Sequence, residues 1–189
     1  MQINVRLNDD MLHRFQNMAG ALGEQKARIA YARAVNRVTN SIHGKVISAV
    51  VKQTSIPRRI VKQEVKKQLA RPGGDGAIQG IIYAKGKPIS LKHFNPKQFS
   101  WGVRVKAWGE WQRYESSFIY GGTFRSGKPA FDGHVMSRVG KDSFPVRREN
   151  GPAVPPALIQ GEAAAIFTKT VEDMLPRRVM HELSRLLGV

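Results

Sequence analysis

Residues 24–53 read EQKARIAYARAVNRVTNSIHGKVISAVVKQ. Within them Tyr31, Val35, Val38, Ile42, Val46 and Ala49 step by three and four. At 100° per residue these side chains fall inside one stripe, the signature of an amphipathic helix. Lys26, Arg33, Arg37, Lys45 and Lys52 lie on the opposite side or its flank. A helix of this length is a rod of roughly 45 Å. Gly44 is its weak point, costing about 1 kcal/mol against alanine.

Outward from the rod, Thr54-Ser55-Ile56-Pro57 ends one helix and starts another, since proline suits a first helical position. The spacing predicts a second helix over 57–70. It places Val61, Val65 and Leu69 in one row, with Arg58, Lys62 and Lys66 in a second and Arg59 and Lys67 beside it. The run 71–76, Arg-Pro-Gly-Gly-Asp-Gly, reads as a helix stop and a loop. From 77 to 148 the pattern is that of strands. Ile78, Ile81, Ile82 and Tyr83 suggest one, and Ile89 with Leu91 a short second. Val103, Val105 and Ala107 alternate with Arg104 and Lys106, and residues 111–120 hold one or two more. Residues 134–139 and 144–148 complete the set. Glycine-containing turns at this spacing predict an antiparallel meander or small barrel. A stiff connector at 150–156 leads to a helix over about 157–175, with Ile159, Ala163, Ile166, Thr170 and Met174 facing one way. Pro176 should break or kink it before a last helix carrying Val179, Leu183, Leu186 and Leu187.

On the other side of the rod, Ile3, Val5 and Leu7 alternate as a short strand. Asn8 or Asp9 could cap a short helix bearing Leu12, Phe15 and Met18. The opening MQINVRLNDD lacks a signal-peptide core, so secretion by that route is not expected and the protein is expected to be made in the cytosol. The expected class is α+β: long basic N-terminal helices packed on an antiparallel sheet or small barrel, with C-terminal helices. The expected organisation is one domain over 1–189, with a basic helical part at 24–71, a β-rich part at 77–148 and C-terminal helices at 157–187.

Composition narrows the function classes. A chain of 189 residues with a 41% hydrophobic fraction can bury a core and is not a disordered tail. No apolar run approaches the ~18 residues that span a bilayer, so no membrane partner is expected. The absence of cysteine excludes a disulfide scaffold, a thiol nucleophile and a cysteine zinc site. The formal charge is +17, from 31 Lys and Arg against 14 Asp and Glu. Residues 26–71 hold twelve bases and one acid, while 151–189 hold four of each. A basic excess calls for a polyanion or an acidic protein surface as partner.

Catalytic patterns are missing. No two of the five histidines have metal-ligand spacing, and Gly-X-Ser-X-Gly, Walker and Rossmann fingerprints are absent. A nuclease built from His134 with Glu110 or Glu115 can be drawn, but the spacing does not favour it. Neither a cofactor nor a metal is expected. The constellation above background is the basic one: Arg33, Arg37, Lys45, Lys52, Arg58, Arg59, Lys62, Lys66 and Lys67. A solvated helix face would normally carry glutamates four residues from its lysines, and here Glu64 is the lone acid. Such a face repels itself and suits phosphates or an acidic neighbour. Base-stacking aromatics are absent from it except Tyr31, which lies in the apolar stripe, so sequence-specific readout is not indicated. Trp101, Trp108 and Trp111 cluster around the middle strands, where core packing competes with a subunit interface.

The order of several short segments is more specific. Ala32-Arg33-Ala34-Val35-Asn36-Arg37-Val38 is followed by Ser55-Ile56-Pro57-Arg58-Arg59-Ile60-Val61-Lys62. Further on come His134-Val135-Met136-Ser137-Arg138-Val139-Gly140-Lys141, Phe144-Pro145-Val146 and Gly151-Pro152-Ala153-Val154-Pro155. From about residue 25 to 160 this resembles the minor tail protein Z, or tail-completion, family of long-tailed bacteriophages and prophages; the middle, about 77–130, matches little. The resemblance implies a non-enzymatic virion protein, assembled in the host cytoplasm, that completes the head-proximal end of the tail. It implies a long helix beside a sheet and a homo-oligomeric ring, of six copies by tail symmetry. It also implies neighbours among the tail terminator, tail tube and head–tail connector proteins, with the packaged DNA end within reach. No catalytic residues carry over. The competing expectation is a free nucleic-acid-binding protein without sequence preference.

Overall fold

A computed structural model describes residues 1–6, 20, 23–73, 77–121 and 130–188. The expected short helix with Leu12, Phe15 and Met18 lies outside the described residues, as do Leu7 and the glycines at 74 and 76.

The rod forms as its periodicity requires. Helix α1 spans Glu24–Thr54 and buries Tyr31, Val35, Val38, Ile42, Val46 and Ala49. It also buries Ala27, Ala30, Ala32, Ala34, Ile47 and Val50, so the apolar arc is much wider than one stripe. Beyond the first turn, exposure is left to a lane through Arg33, Arg37, Asn40, Gly44 and Ser48, with Lys45 and Lys52 exposed on its flank. Ser55 ends the helix in the left-handed region (φ 60°), its N–H donating to the Val51 carbonyl.

The next element departs from expectation. Helix α2 covers only Arg58–Glu64, and Val65–Gln68 is strand β2. The predicted row Val61, Val65, Leu69 is broken: Val61 and Val65 are buried, but Leu69 is 41% exposed. The cause is tertiary. Strand β3 (Gln79–Ala84) pairs on one side with β1 (Gln2–Arg6), and on the other β2 supplies the missing ladder, Val65 opposite Ala84 and Lys67 opposite Ile82. This sheet, ordered β1-β3-β2, lies on α1. Gly80 is the point of closest approach, where a Cβ would run into the Thr39 side chain.

Asn36 fastens the far end of β2. Its Oδ1 accepts the Ala70 N–H at 2.7 Å, and its Nδ2 donates to the Ala70 carbonyl at 3.0 Å. One side chain thus replaces a rung of ladder.

The remaining strands are antiparallel throughout but divided between two further sheets. One holds β4 (Lys97–Phe99), β5 (Gly102–Ala107) and β6 (Glu110–Glu115); the other holds β7 (Ser117–Ile119), β8 (Val135–Arg138) and β9 (Val146–Arg148). Gln98 and Ser117 join them: Gln98 Oε1 accepts the Ile119 N–H, and Ser117 Oγ accepts the Val103 N–H. The short strand expected at Ile89 and Leu91 is instead a single bridge, Ser90 to Asn150, followed by a 3-10 turn, Leu91–Phe94. Gly151 lies under that turn, where a Cβ would press on Leu91 and Phe94.

Helix α3 (Val154–Ile159) uses the connector's prolines in its first turn, and α4 runs Gly161–Leu187 without interruption. Pro176 therefore does not end the helix. The missing proline N–H costs roughly 3 kcal/mol in a free helix. Here Ala163, Phe167, Leu175, Val179 and Leu183 are buried on both sides of it, and α4 packs along α1. Contacts between Lys52 and Glu162, Lys45 and Thr170, and Ser41 and Met174 show that the two helices run antiparallel. Ile159, expected on the buried row, is exposed on α3.

Candidate interaction surfaces

The basic residues that the sequence groups together are distributed by the fold into three places. Arg33 and Arg37 stand on the exposed lane of α1. Two further cations reach that lane from α2 and β2: Arg58 Nη1 donates to Ser48 Oγ at 2.8 Å, and Lys67 Nζ to Asn40 Oδ1 at 2.6 Å. Lys62, Lys66 and Lys67 surround His43, whose ring lies 3.3 Å from the Val65 carbonyl. Burial first, and then these three lysines, hold His43 below the usual histidine range, against the opposing backbone hydrogen bond.

Lys45 and Lys52 belong elsewhere. They turn toward α4 and line a groove of about 440 Å³ with Glu162, Lys169, Thr170 and Asp173. Lys52 pairs with Glu162 at 3.0 Å, and Lys45 reaches Thr170 Oγ1 at 3.4 Å. Arg59 points to a third place, near His93. Among the described residues Arg33, Arg37, Arg59, Lys62 and Lys66 have no carboxylate within ion-pair distance. The self-repelling face read from the sequence thus persists on α1, α2 and β2, while Lys45 and Lys52 leave it.

Beyond Arg59 lies a polar joint. Ser90 Oγ is 2.7 Å from His134 Nδ1, and the Arg148 guanidinium lies against the same ring, 3.0 and 2.7 Å from its two nitrogens. Asp132 pairs with Lys92 at 2.6 Å and stays 4.0 Å from His134 Nε2. The residue types are those of a Ser-His-Asp triad, but the geometry is not: the carboxylate is too distant to orient the ring. A proton taken from Ser90 would place a second cation against Arg148. Burial, then Arg148 and Lys92, hold His134 below its ordinary value. Glu110 and Glu115 are not among its hydrogen-bond or ion-pair partners. Among the described residues no group of three or more His, Asp and Glu could hold a metal ion.

The tryptophans are not core. Trp111 is 45% exposed and Trp108 43%, with Trp101 half-buried. Trp108 and Gly109 form the two-residue turn between β5 and β6, both with positive φ (56° and 79°). Tryptophan rarely adopts that conformation. It is held by the end of α1: the Trp108 N–H donates to the Thr54 carbonyl at 3.1 Å, and the Gly109 N–H to Ser55 Oγ at 3.2 Å. Trp101 and Trp111 meet arginines. Arg113 lies 4.2 Å from the Trp101 ring centre and Arg104 4.8 Å from that of Trp111. The sequence shows Arg104 only as part of the outward half of an alternating strand and gives Arg113 no role; their pairing with the rings depends on strand register.

The sequence from residue 21 to 189 matches the family model described as prophage minor tail protein Z (GPZ). The chain belongs to that family. The chain is accordingly a phage minor tail protein, a structural component of the tail and so of the virion, working among other phage structural proteins. No curated protein and no solved structure matches it. Among its described residues no helix is long and apolar enough to cross a membrane.

Proposed function

We propose that this chain completes the head-proximal end of the tail as a ring of identical copies, a single-domain subunit in each, at the junction between tail and head. The family match supports the tail component. The observation that carries the finer reading is the basic lane of Arg33 and Arg37, reached by Arg58 and Lys67, none of which has a carboxylate within ion-pair distance among the described residues. A lane without counter-charge is stable in a particle where neighbouring matter supplies the anions. In this reading the lane faces DNA in the channel or an acidic ring beside it, and the exposed Trp108 turn contacts a neighbouring subunit. Lys45 and Lys52 contribute less, because they turn into the groove beside α4, where Lys52 pairs with Glu162 and Lys45 reaches Thr170.

Electron microscopy of purified particles, with the mass of the isolated chain, tests the proposal. The expected result is a ring at the head-proximal end of the tail. A chain that stays monomeric and never joins particles overturns it. The competing reading, a free nucleic-acid binder, predicts that an Arg33→Glu/Arg37→Glu variant loses DNA binding while tails still assemble. Its wild-type affinity should fall by about a thousandfold between 50 and 200 mM salt if ~6 phosphates are contacted.

A further inference from the structure

The β4–β5–β6 sheet has one buried face, of Val103, Val105 and Ala107, and one exposed face of unusual composition. Across the three strands Lys97, Arg104 and Arg113 stand directly opposite one another, and Lys106 stands opposite Trp111. All four cations are exposed. Like charges opposite one another across strands destabilise a sheet, and among the described residues none of these four meets a carboxylate within ion-pair distance. Aromatic rings hold the row in place instead. Lys97 and Arg104 lie 5.8 and 4.8 Å from the Trp111 ring centre. Arg113 lies 4.2 Å from that of Trp101, which itself stacks on Phe99 at 5.2 Å and 7°. Contact with a ring face spends no N–H donor of a guanidinium, so its donors remain available to acceptors.

We infer that this face is a docking surface for an acidic patch on a different protein. Carboxylates spaced near the interstrand repeat of about 4.8 Å would meet the row Lys97, Arg104, Arg113. Apolar groups between them would cover the exposed parts of Phe99 and Trp111. Trp and Arg in a desolvated patch are also the residues that dominate binding at protein interfaces. The cations are already positioned, so little side-chain freedom is lost when the partner arrives.

Two other occupants fit less well. Single-stranded nucleic acid binds such sheets by stacking bases on open aromatic faces, and here Trp101 and Trp111 are already engaged by Arg113, Phe99, Arg104 and Lys97. A second copy is a poor source of anions: the chain has 14 acids against 31 bases, and Asp132, Glu149, Glu162 and Glu182 are already in ion pairs. The inference rests on the tail reading only for the partner being another tail protein. The binding can be measured without the tail.

The full chain at low salt is titrated with a polyglutamate peptide and, separately, with a thymidine oligonucleotide of matched charge. Tryptophan emission and calorimetry report the binding. An Arg104→Gln/Arg113→Gln variant should weaken polyglutamate binding by about tenfold or more and leave the oligonucleotide affinity unchanged. Lys106→Gln, a single exposed change beside Trp111, should give a smaller loss in the same direction and stands in if the double variant does not fold. Arg33→Gln/Arg37→Gln, on the other basic surface, should weaken polyglutamate binding by less than the sheet variant does. Polyglutamate binding unaffected by the sheet variants overturns the inference, and so does a sheet variant that weakens oligonucleotide binding as much as peptide binding. A wild-type chain absent from particles would sink the tail-end proposal and leave this result standing.

Discussion

Asn36 sits in the middle of the segment Ala32–Val38, and its amide makes two hydrogen bonds to the backbone of Ala70, thirty-four residues away. Periodicity gives it no role, since it is neither in the apolar stripe nor in the basic row. Structure gives it one, because the chain leaving β2 needs its N–H and C=O paired where β3 no longer reaches. Replacing Asn36 by alanine removes both bonds from a half-buried site. The expected cost is about 1–3 kcal/mol, measured as a fall in the urea midpoint with the slope unchanged. The same logic separates the three tryptophans, which are close in sequence but differently employed. Trp108 turns a hairpin against α1, while Trp101 and Trp111 face outward beneath arginines. Composition locates such residues, but only strand register says what they face.

Elements whose side chains obey one period were legible. The long helix is the clearest case: the six apolar residues that define its stripe are all buried. Strand β5 is another, with Val103, Val105 and Ala107 inside and Arg104 and Lys106 out. The boundary between α2 and β2 was not legible, because Val61 and Val65 satisfy a helical row and are buried under either geometry. The open edge of β3 decides it, and that edge lies in another part of the chain. Pro176 misleads for a related reason, since propensity governs a free helix whereas α4 is laid along α1 on both sides of the proline. Restoring the missing donor with Pro176→Ala should therefore raise stability, by about 1–3 kcal/mol, seen as a higher melting temperature. An unchanged or lower melting temperature would mean that the proline sets the course α4 follows along α1.

At the scale of the whole molecule, the charge of +17 resolves into distinct surfaces: an unpaired lane on α1, α2 and β2, a groove between α1 and α4 where Lys52 pairs with Glu162, and a cation–aromatic face on β4–β5–β6. The total was legible from composition, and the division among surfaces was not. It depends on Lys45 and Lys52 turning toward α4 and on three strands bringing Lys97, Arg104 and Arg113 into line. The charge also sets a response to acid. Burial and nearby cations hold His43, His93 and His134 below the ordinary value of 6.5. The unfolded chain then takes up protons before the folded one, so stability present above 6.5 is lost as pH falls. Asp132, held low by Lys92, adds a further loss only in the more acidic range below its ordinary 3.8. Urea midpoints should therefore fall between about pH 7.5 and about pH 5.5, and a His43→Gln/His134→Gln variant should show a shallower fall. A midpoint that rises with acidification would contradict these shifts.

The hairpin tip at Trp108 and Gly109 has a mechanical meaning. Its two N–H groups are clipped to the last carbonyl of the rod and to the hydroxyl just beyond it. The sheet carrying the arginine row is thereby latched to the end of the rod carrying the basic lane. Any tilt of the sheet at this end has to break or carry with it these two hydrogen bonds, so the turn is where movement of one charged face would be felt by the other.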